Sequence, residues 1–198
     1  NIDGEIRILG KNNQVTDAVG AVEGRQIGIH GVVVDTAKAN FTHADNRTNI
    51  TVVGTMGDGA LSGYGYIQNG NVDATISGNA LPLTALSPII GQDVDGTLNT
   101  SFAIKGTVDN PNVTGTVWGQ EVHYKGARFN NIHGDIKLDN HILTITNGHI
   151  GDGDGGYDVN GWYNLDTDAL DLNARARATR IENVIRTVTD VPITGWFE

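Results

Sequence analysis

Apolar and polar residues alternate one for one along most of this chain, and that rhythm limits its possible folds more than any other feature. Leu98, Thr100, Phe102 and Ile104 fall on one side of an extended segment. In a later segment Ile132, Ile136 and Leu138 share a side, with His133, Asp135 and Lys137 opposite. Asp158, Asn160, Trp162 and Asn164 likewise point away from Tyr157, Val159 and Leu165. A period of two belongs to strands with one dry and one wet face. Turn-forming residues interrupt the pattern at short intervals: Asn69-Gly70, Asn110-Pro111, Asp139-Asn140, Asn147-Gly148 and Asp166-Thr167-Asp168. The prediction is an all-β fold.

Two stretches depart from the rhythm. The apolar residues between Leu81 and Ile90 have helix-like spacing, and Pro82 suits a first helical turn, so a short helix is predicted near 81–90. Ile181, Val184, Ile185 and Val188 follow the i, i+3, i+4, i+7 pattern, which predicts a second over 180–188. Segments this short are unstable alone and must pack on the sheet.

Composition narrows the function classes. Hydrophobic residues are 38 % of the 198, enough for a thin core. The formal net charge is −10, from 23 acidic against 13 basic residues, a balance that repels phosphate backbones and argues against general nucleic-acid binding. Eighteen of the acids are Asp, which favours turns over long helices. With no Cys there is no disulfide framework, thiol catalysis or thiolate-bound zinc, and no apolar run is long enough for a spanning helix. The chain opens at Asn1 rather than Met and stops at Glu198, and is read as an internal piece of a longer protein.

The sequence also repeats itself. Asp3-Gly4 opens one copy and Asp95-Gly96 the next. Val22 to Gly31 parallels Val117 to Gly126, Gly57-Asp58-Gly59 parallels Gly151-Asp152-Gly153, and Gly65-Tyr66 parallels Gly161-Trp162. The expected organisation is a first repeat over 1–94 ending in the helix near 81–90, and a second over 95–190 ending in the helix near 180–188. Residues 191–198 then open a third. Units this long are neither β-helix rungs nor propeller blades, and a third copy that has only begun implies an open-ended architecture.

The stretch from Asp95 to Gly115, DGTLNTSFAIKGTVDNPNVTG, together with the alternating Gly-rich strands and the Ile142 to Ile145 segment, resembles the TamB family. These are the translocation and assembly module subunits of diderm bacterial envelopes, within the wider AsmA-like group. The resemblance implies an elongated, rolled, half-open β-sheet (a β-taco, or repeating β-groove) with short helices between repeats. It implies a parent anchored in the inner membrane, crossing the periplasm and meeting an outer-membrane barrel partner. The implied function is phospholipid transport between the two membranes, linked to outer-membrane protein assembly.

The residues agree with such a role on their own terms. A sheet with one apolar face must hide it, and two short helices cannot cover a dozen strands. A water-excluding trough would bind acyl chains at about 0.8 kcal/mol per buried methylene, without polar recognition. The expected lining in the first copy is Ile6, Ile8, Ile27, Ile29, Val32, Val34, Phe41, Ile50, Val52, Leu61, Val72 and Ile76. In the second it is Leu98, Phe102, Ile104, Val117, Val122, Tyr124, Phe129, Ile132, Ile136, Leu138, Leu143, Ile145, Ile150, Val159, Leu170 and Leu172. The competing reading is that these residues close into an ordinary core.

Other features have plainer explanations. Gly151-Asp152-Gly153-Asp154-Gly155-Gly156 invites calcium, but it lacks the spaced carboxylates of a full loop and reads better as a hairpin. His30, His43, His123, His133, His141 and His149 lack metal-ligand spacing and read as surface residues, mostly on the wet face. The Asn-x-Ser/Thr matches at Asn40, Asn46, Asn49, Asn99 and Asn112 are expected by chance in so Asn- and Thr-rich a chain. Arg175, Arg177, Arg180 and Arg186 form the one basic concentration, suited to lipid head groups or an acidic partner, or simply to a solvated strand and helix face. No nucleophile elbow, phosphate loop or dinucleotide fingerprint is present. The expectation is no enzyme, no metal and no cofactor, with phospholipid acyl chains and neighbouring repeats of the same chain as partners and open edges that pair with one another. Two alternatives stand beside it: a structural or adhesive β-solenoid stalk binding partners on its outer face, and a carbohydrate-active solenoid enzyme with an acidic cleft.

Overall fold

The computed structural model describes residues 2–11, 14–29, 31–90 and 94–179. Within them the chain forms one antiparallel sheet of twelve strands, each hydrogen-bonded to its neighbour in sequence. The first six are β1 (Ile2–Lys11), β2 (Gln14–Ile29), β3 (Val32–Ala44), β4 (Arg47–Met56), β5 (Gly59–Gln68) and β6 (Asn71–Pro82). The next six are β7 (Val94–Thr107), β8 (Pro111–Tyr124), β9 (Ala127–Asp139), β10 (Ile142–Asp152), β11 (Gly155–Asn164) and β12 (Leu170–Arg177). The all-β class follows from the alternation. Strands in substantial contact are all sheet neighbours, so the sheet is neither closed nor strongly curled. The roll implied by the family resemblance is not reached in these twelve strands.

Two-residue turns make most of the hairpins. Asp45-Asn46, Asn69-Gly70, Lys125-Gly126 and Asn140-His141 all carry positive φ at both positions, the conformation whose twist matches that of the flanking strands. Asn147-Gly148, predicted as a turn, instead lies within β10. There Asn147 has φ 51° and the register shifts against both neighbours, so the pair forms a bulge. Its amide donates to Asn160 Oδ1 at 3.0 Å, which satisfies the N–H the bulge removes from the ladder.

Helical structure among the described residues is one short stretch, a 3-10 turn over Leu83–Leu86 continuing into a single turn over Ser87–Ile90. Pro82 precedes it as an extended residue rather than sitting inside it, and Leu81 remains a strand residue opposite Leu98. The helix predicted over 180–188 and the third-repeat opening at 191–198 lie outside the described residues. β6 pairs with β7, so the sheet continues unbroken across residue 94.

Backbone conformation recurs along the sheet. Positive φ occurs at Gln26 and Glu121, Gly31 and Gly126, Asp45 and Asn140, Asn46 and His141, Gly57 and Gly153, and Ala80 and Ala178. The first four pairs are 95 residues apart, and drift to 96 and 98 follows the β10 bulge and the longer last turn. Two sequence parallels are displaced by this register. Asp3 pairs with Glu23, whereas Asp95 pairs with His123, further along β8. Since Glu23 corresponds to Trp118, which pairs with Asn99, Asp3 corresponds to Asn99 and not to Asp95. Similarly Gly57-Asp58-Gly59 corresponds to Gly153-Asp154-Gly155, two residues beyond the predicted match. Short Asp-Gly strings recur often in a chain with 27 Gly, and ladder pairing overrides them.

Candidate functional site: the apolar face

Cross-strand partners in a ladder point to the same side, so the registers fix which residues share a face. One row runs Ile6, Gly20, Phe41, Ile50, Gly65, Ala74, Ile104, Val113, Leu138, Leu143, Tyr163, Leu170, touching every strand. The adjacent row runs Gly4, Val22, Ala39, Val52, Gly63, Ile76, Phe102, Gly115, Ile136, Ile145, Gly161, Leu172. At about 4.8 Å per strand, these rows extend about 50 Å across the sheet.

The remaining expected lining residues fall around them. Ile8 lies in the row of Ala18, His43, Thr48, Ile67 and Val72. Leu61 and Val117 share a row through Gly78 and Thr100, and Val159 pairs with Gly148. Leu98, Ile132 and Ile150 form another row through Gly119.

Val122 and Phe129 lie beyond Glu121, whose left-handed conformation shifts the alternation by one residue and returns both side chains to the apolar side. There they are buried with Leu83, Val94 and Ala127 and flanked by Leu98, Tyr124, Ile132, Ile150 and Tyr157. Ile27 pairs with Val34, and Ile29 with Val32, in the corresponding place beyond Gln26.

Polarity separates the two faces. On the apolar side the exceptions are few, and His43 and Thr48 satisfy each other through a 2.8 Å hydrogen bond. His43 thereby departs from the expected wet-face position. The opposite side carries rows such as Asp3, Glu23, Lys38, Val53, Ser62, Ser77, Ser101, Thr116 and Asp135. Tyr66, beneath the Arg47 guanidinium at 3.7 Å, and Trp162 also face that way.

Among the described residues the apolar face is only partly covered. Leu83 of the helical stretch is 4 % exposed and seals one end, over β7–β9. Elsewhere Val52 is 37 %, Ile76 41 % and Ile6 59 % exposed. Several glycines keep the rows low where neighbouring side chains lie across them. A Cβ at Gly20 would meet the Phe41 ring at 2.5 Å, and one at Gly115 would meet Ser101 O at 2.1 Å and Phe102 Cδ1 at 2.5 Å.

The tempting polar features resolve into local structure. Asp152 is 2 % exposed at the end of β10, and Gly153-Asp154 form the turn to β11. His133 and His149 are cross-strand neighbours with ring centroids 5.3 Å apart. His149 donates from Nδ1 to Asp158 at 3.1 Å, and that bond, with the nearby Arg177 and Arg175 charges, holds the Asp158 carboxyl below its usual range. Glu23 is likewise lowered by its hydrogen bond from Lys38, while the bond to Asp168 raises the Tyr163 phenol. Among the described residues no group of three or more His, Asp or Glu is placed to hold a metal ion. Arg175 and Arg177 lie on β12, facing the polar side; Arg180 and Arg186 lie outside the described residues.

Sequence reading passed over Val22, Ile67, Val113 and Tyr163, which the registers add to the apolar side. Alternation within each strand was the available signal. No known protein family, curated protein or solved structure matches this chain.

Proposed function

We propose that this chain is a segment of a periplasm-spanning bridge that carries phospholipid between the inner and outer membranes of a diderm bacterium. Acyl chains would lie along the apolar face as the floor of a repeating β-groove of the TamB, AsmA-like kind, deepened where neighbouring repeats extend the sheet. The parent would be anchored in the inner membrane and would meet an outer-membrane barrel partner, with a linked role in outer-membrane protein assembly. The observation that carries the reading is the pair of apolar rows running through all twelve strands, half-exposed among the described residues and sealed at one end by Leu83. Such a track presents chemically similar positions along its length. Each methylene fully buried against it contributes about 0.8 kcal/mol, and one left half in water about half of that, so binding needs no polar recognition and neighbouring positions are nearly equivalent in energy. The reading requires no catalytic group and no cofactor.

The test is mass spectrometry of an organic extract of the purified, detergent-free chain, repeated with Leu138→Glu and Ile145→Glu. Phospholipid recovered with the unaltered chain and lost from folded variants supports the conduit. No lipid in any sample sinks it and directs attention to an outer-face stalk.

A further inference from the structure

We propose that His133 and His149 form a binding site for an imidazole-seeking divalent metal ion such as zinc, on the polar face of the sheet, with Asp158 orienting His149. The site lies on the side opposite the apolar rows, so the inference is independent of what those rows carry.

The β10 bulge builds the site. Thr146 pairs with Asp135 and His149 with His133, so β10 uses one residue more than β9 over the same span. That extra residue reverses the alternation of β10 and brings His149 to the polar side, beside His133. Both neighbouring strands fasten the bulge. The Asn147 side-chain amide donates to Asp135 Oδ2 at 2.7 Å, and its backbone amide donates to Asn160. No ligand spacing in the sequence announces the pair; the hairpin register joins it.

The geometry suits a shared ion. The two ring centroids are 5.3 Å apart. With an imidazole nitrogen about 2.1 Å from zinc, each ring centroid stands about 3.2 Å from the ion, and two rings at the tetrahedral angle have centroids about 5.2 Å apart. His149 Nδ1 is committed to Asp158, so the neutral ring carries its proton there and presents a lone pair at Nε2. A carboxylate behind a ligating imidazole fixes the ring and strengthens it as a donor. Gly156 keeps the space beside that nitrogen clear, since a Cβ there would stand 2.9 Å from Nε2. The two histidines border one open depression with Asn147, Asp158 and Asn160, while Arg175 and Arg177 lie beyond Asp158 on β12. Among the described residues no third His, Asp or Glu completes the set, which leaves the remaining positions to water and makes the ion exchangeable.

The other half of the sheet has the same places without this chemistry. Trp118 pairs with His133 as Glu23 pairs with Lys38, so His133, His149 and Asp158 take the places of Lys38, Val53 and Ser62. The register of β4 is unbroken there. The bulge and all three residue changes thus fall together at one spot, which the shared backbone does not require.

The experiment is calorimetric titration of the chelator-treated chain with zinc chloride at neutral pH. It compares the unaltered chain with His133→Gln, His149→Gln, Asp158→Asn and, as a control, His141→Gln. His141 also has a carboxylate partner, Asp166 at 2.9 Å, but lies in the turn between β9 and β10. The unaltered chain should bind one zinc that His141→Gln keeps and that both His133→Gln and His149→Gln lose. Asp158→Asn should bind it about tenfold or more weakly. Far-UV circular dichroism checks that each variant keeps its strands. Imidazole NMR signals of the unaltered chain give a reading that needs no variant, because zinc should move two of the six histidines. An unaltered chain that takes up no zinc overturns the inference. So does a zinc site that survives in either folded His variant, an equal loss in His141→Gln, or zinc that moves all six histidines alike. Unchanged affinity in Asp158→Asn overturns the orienting role of that carboxylate.

Discussion

Asp35 Oδ2 accepts the backbone N–H of Gly57 at 2.6 Å, fastening the first part of β3 to the turn between β4 and β5. Asp35 Oδ1 takes a second bond, from Gln26 Nε2 at 2.8 Å, so the side chain also steadies the left-handed residue in β2. In the other half of the sheet Asn130 holds the Gly153 amide in the same way at 3.0 Å. Asp35→Ala should therefore destabilise the chain by about 1–2 kcal/mol, the net worth of two hydrogen bonds. Asp35→Asn should recover most of the loss, as Asn130 already does this work. Urea unfolding midpoints decide it, and equal losses in both variants would count against the bond.

Gln26 and Glu121 pay for their positive φ without being glycine. A left-handed residue with a Cβ costs about 1–2 kcal/mol. Glu121→Gly should raise stability, and Glu121→Val should lower it because a β-branched side chain tolerates that conformation poorly. Thermal unfolding of the two variants should move in opposite directions.

Glycine has two different roles in these strands. Gly115 leaves no room for a Cβ, and Gly115→Ala should cost about 1–3 kcal/mol through displacement of Phe102 and the β7 backbone. Gly28 has nothing within 4 Å of where a Cβ would stand and no left-handed φ. Gly28→Ala should be neutral or stabilising by about 0.4–1 kcal/mol. Similar losses at both positions would show that strand propensity, not close approach, governs these sites.

The buried cluster around Leu83 is small, and its residues should matter more than the rest of the apolar face. Leu83→Ala and Phe129→Ala should cost about 2–5 kcal/mol. Ile8→Ala, at a position 60 % exposed, should cost well under half as much. Denaturant titration of the three variants tests whether stability is concentrated at the sealed end.

Asp158 links stability to pH. Its carboxyl is held low chiefly by the hydrogen bond from His149. A folded-state pKa below the unfolded one adds stability that is complete above the ordinary carboxylate range and is lost as pH falls through the depressed value. Asp158→Asn should remove that component, so the difference in urea midpoint between the two chains should shrink on acidification. A difference that stays constant from neutral to acid pH would show that the carboxylate's charge is not involved.

The sequence by itself determined the class and the two faces. A period of two is a local property of the backbone, and it places Ile132, Ile136 and Leu138 together whatever the strands pair with. The Asn69-Gly70 turn was equally legible, because positive φ at both positions selects those residues. Only the tertiary structure decided how the strands register. Gln26, Ala80 and Glu121 shift the alternation or the ladder, and nothing in their side chains announces a left-handed conformation; neighbouring strands impose it, and they also decide that Asn147, whose type favours that conformation, makes a bulge and not a turn. For the same reason Asp3 answers Asn99 rather than Asp95. Pairing is settled by summed contacts along whole ladders, which a short matching string cannot outweigh.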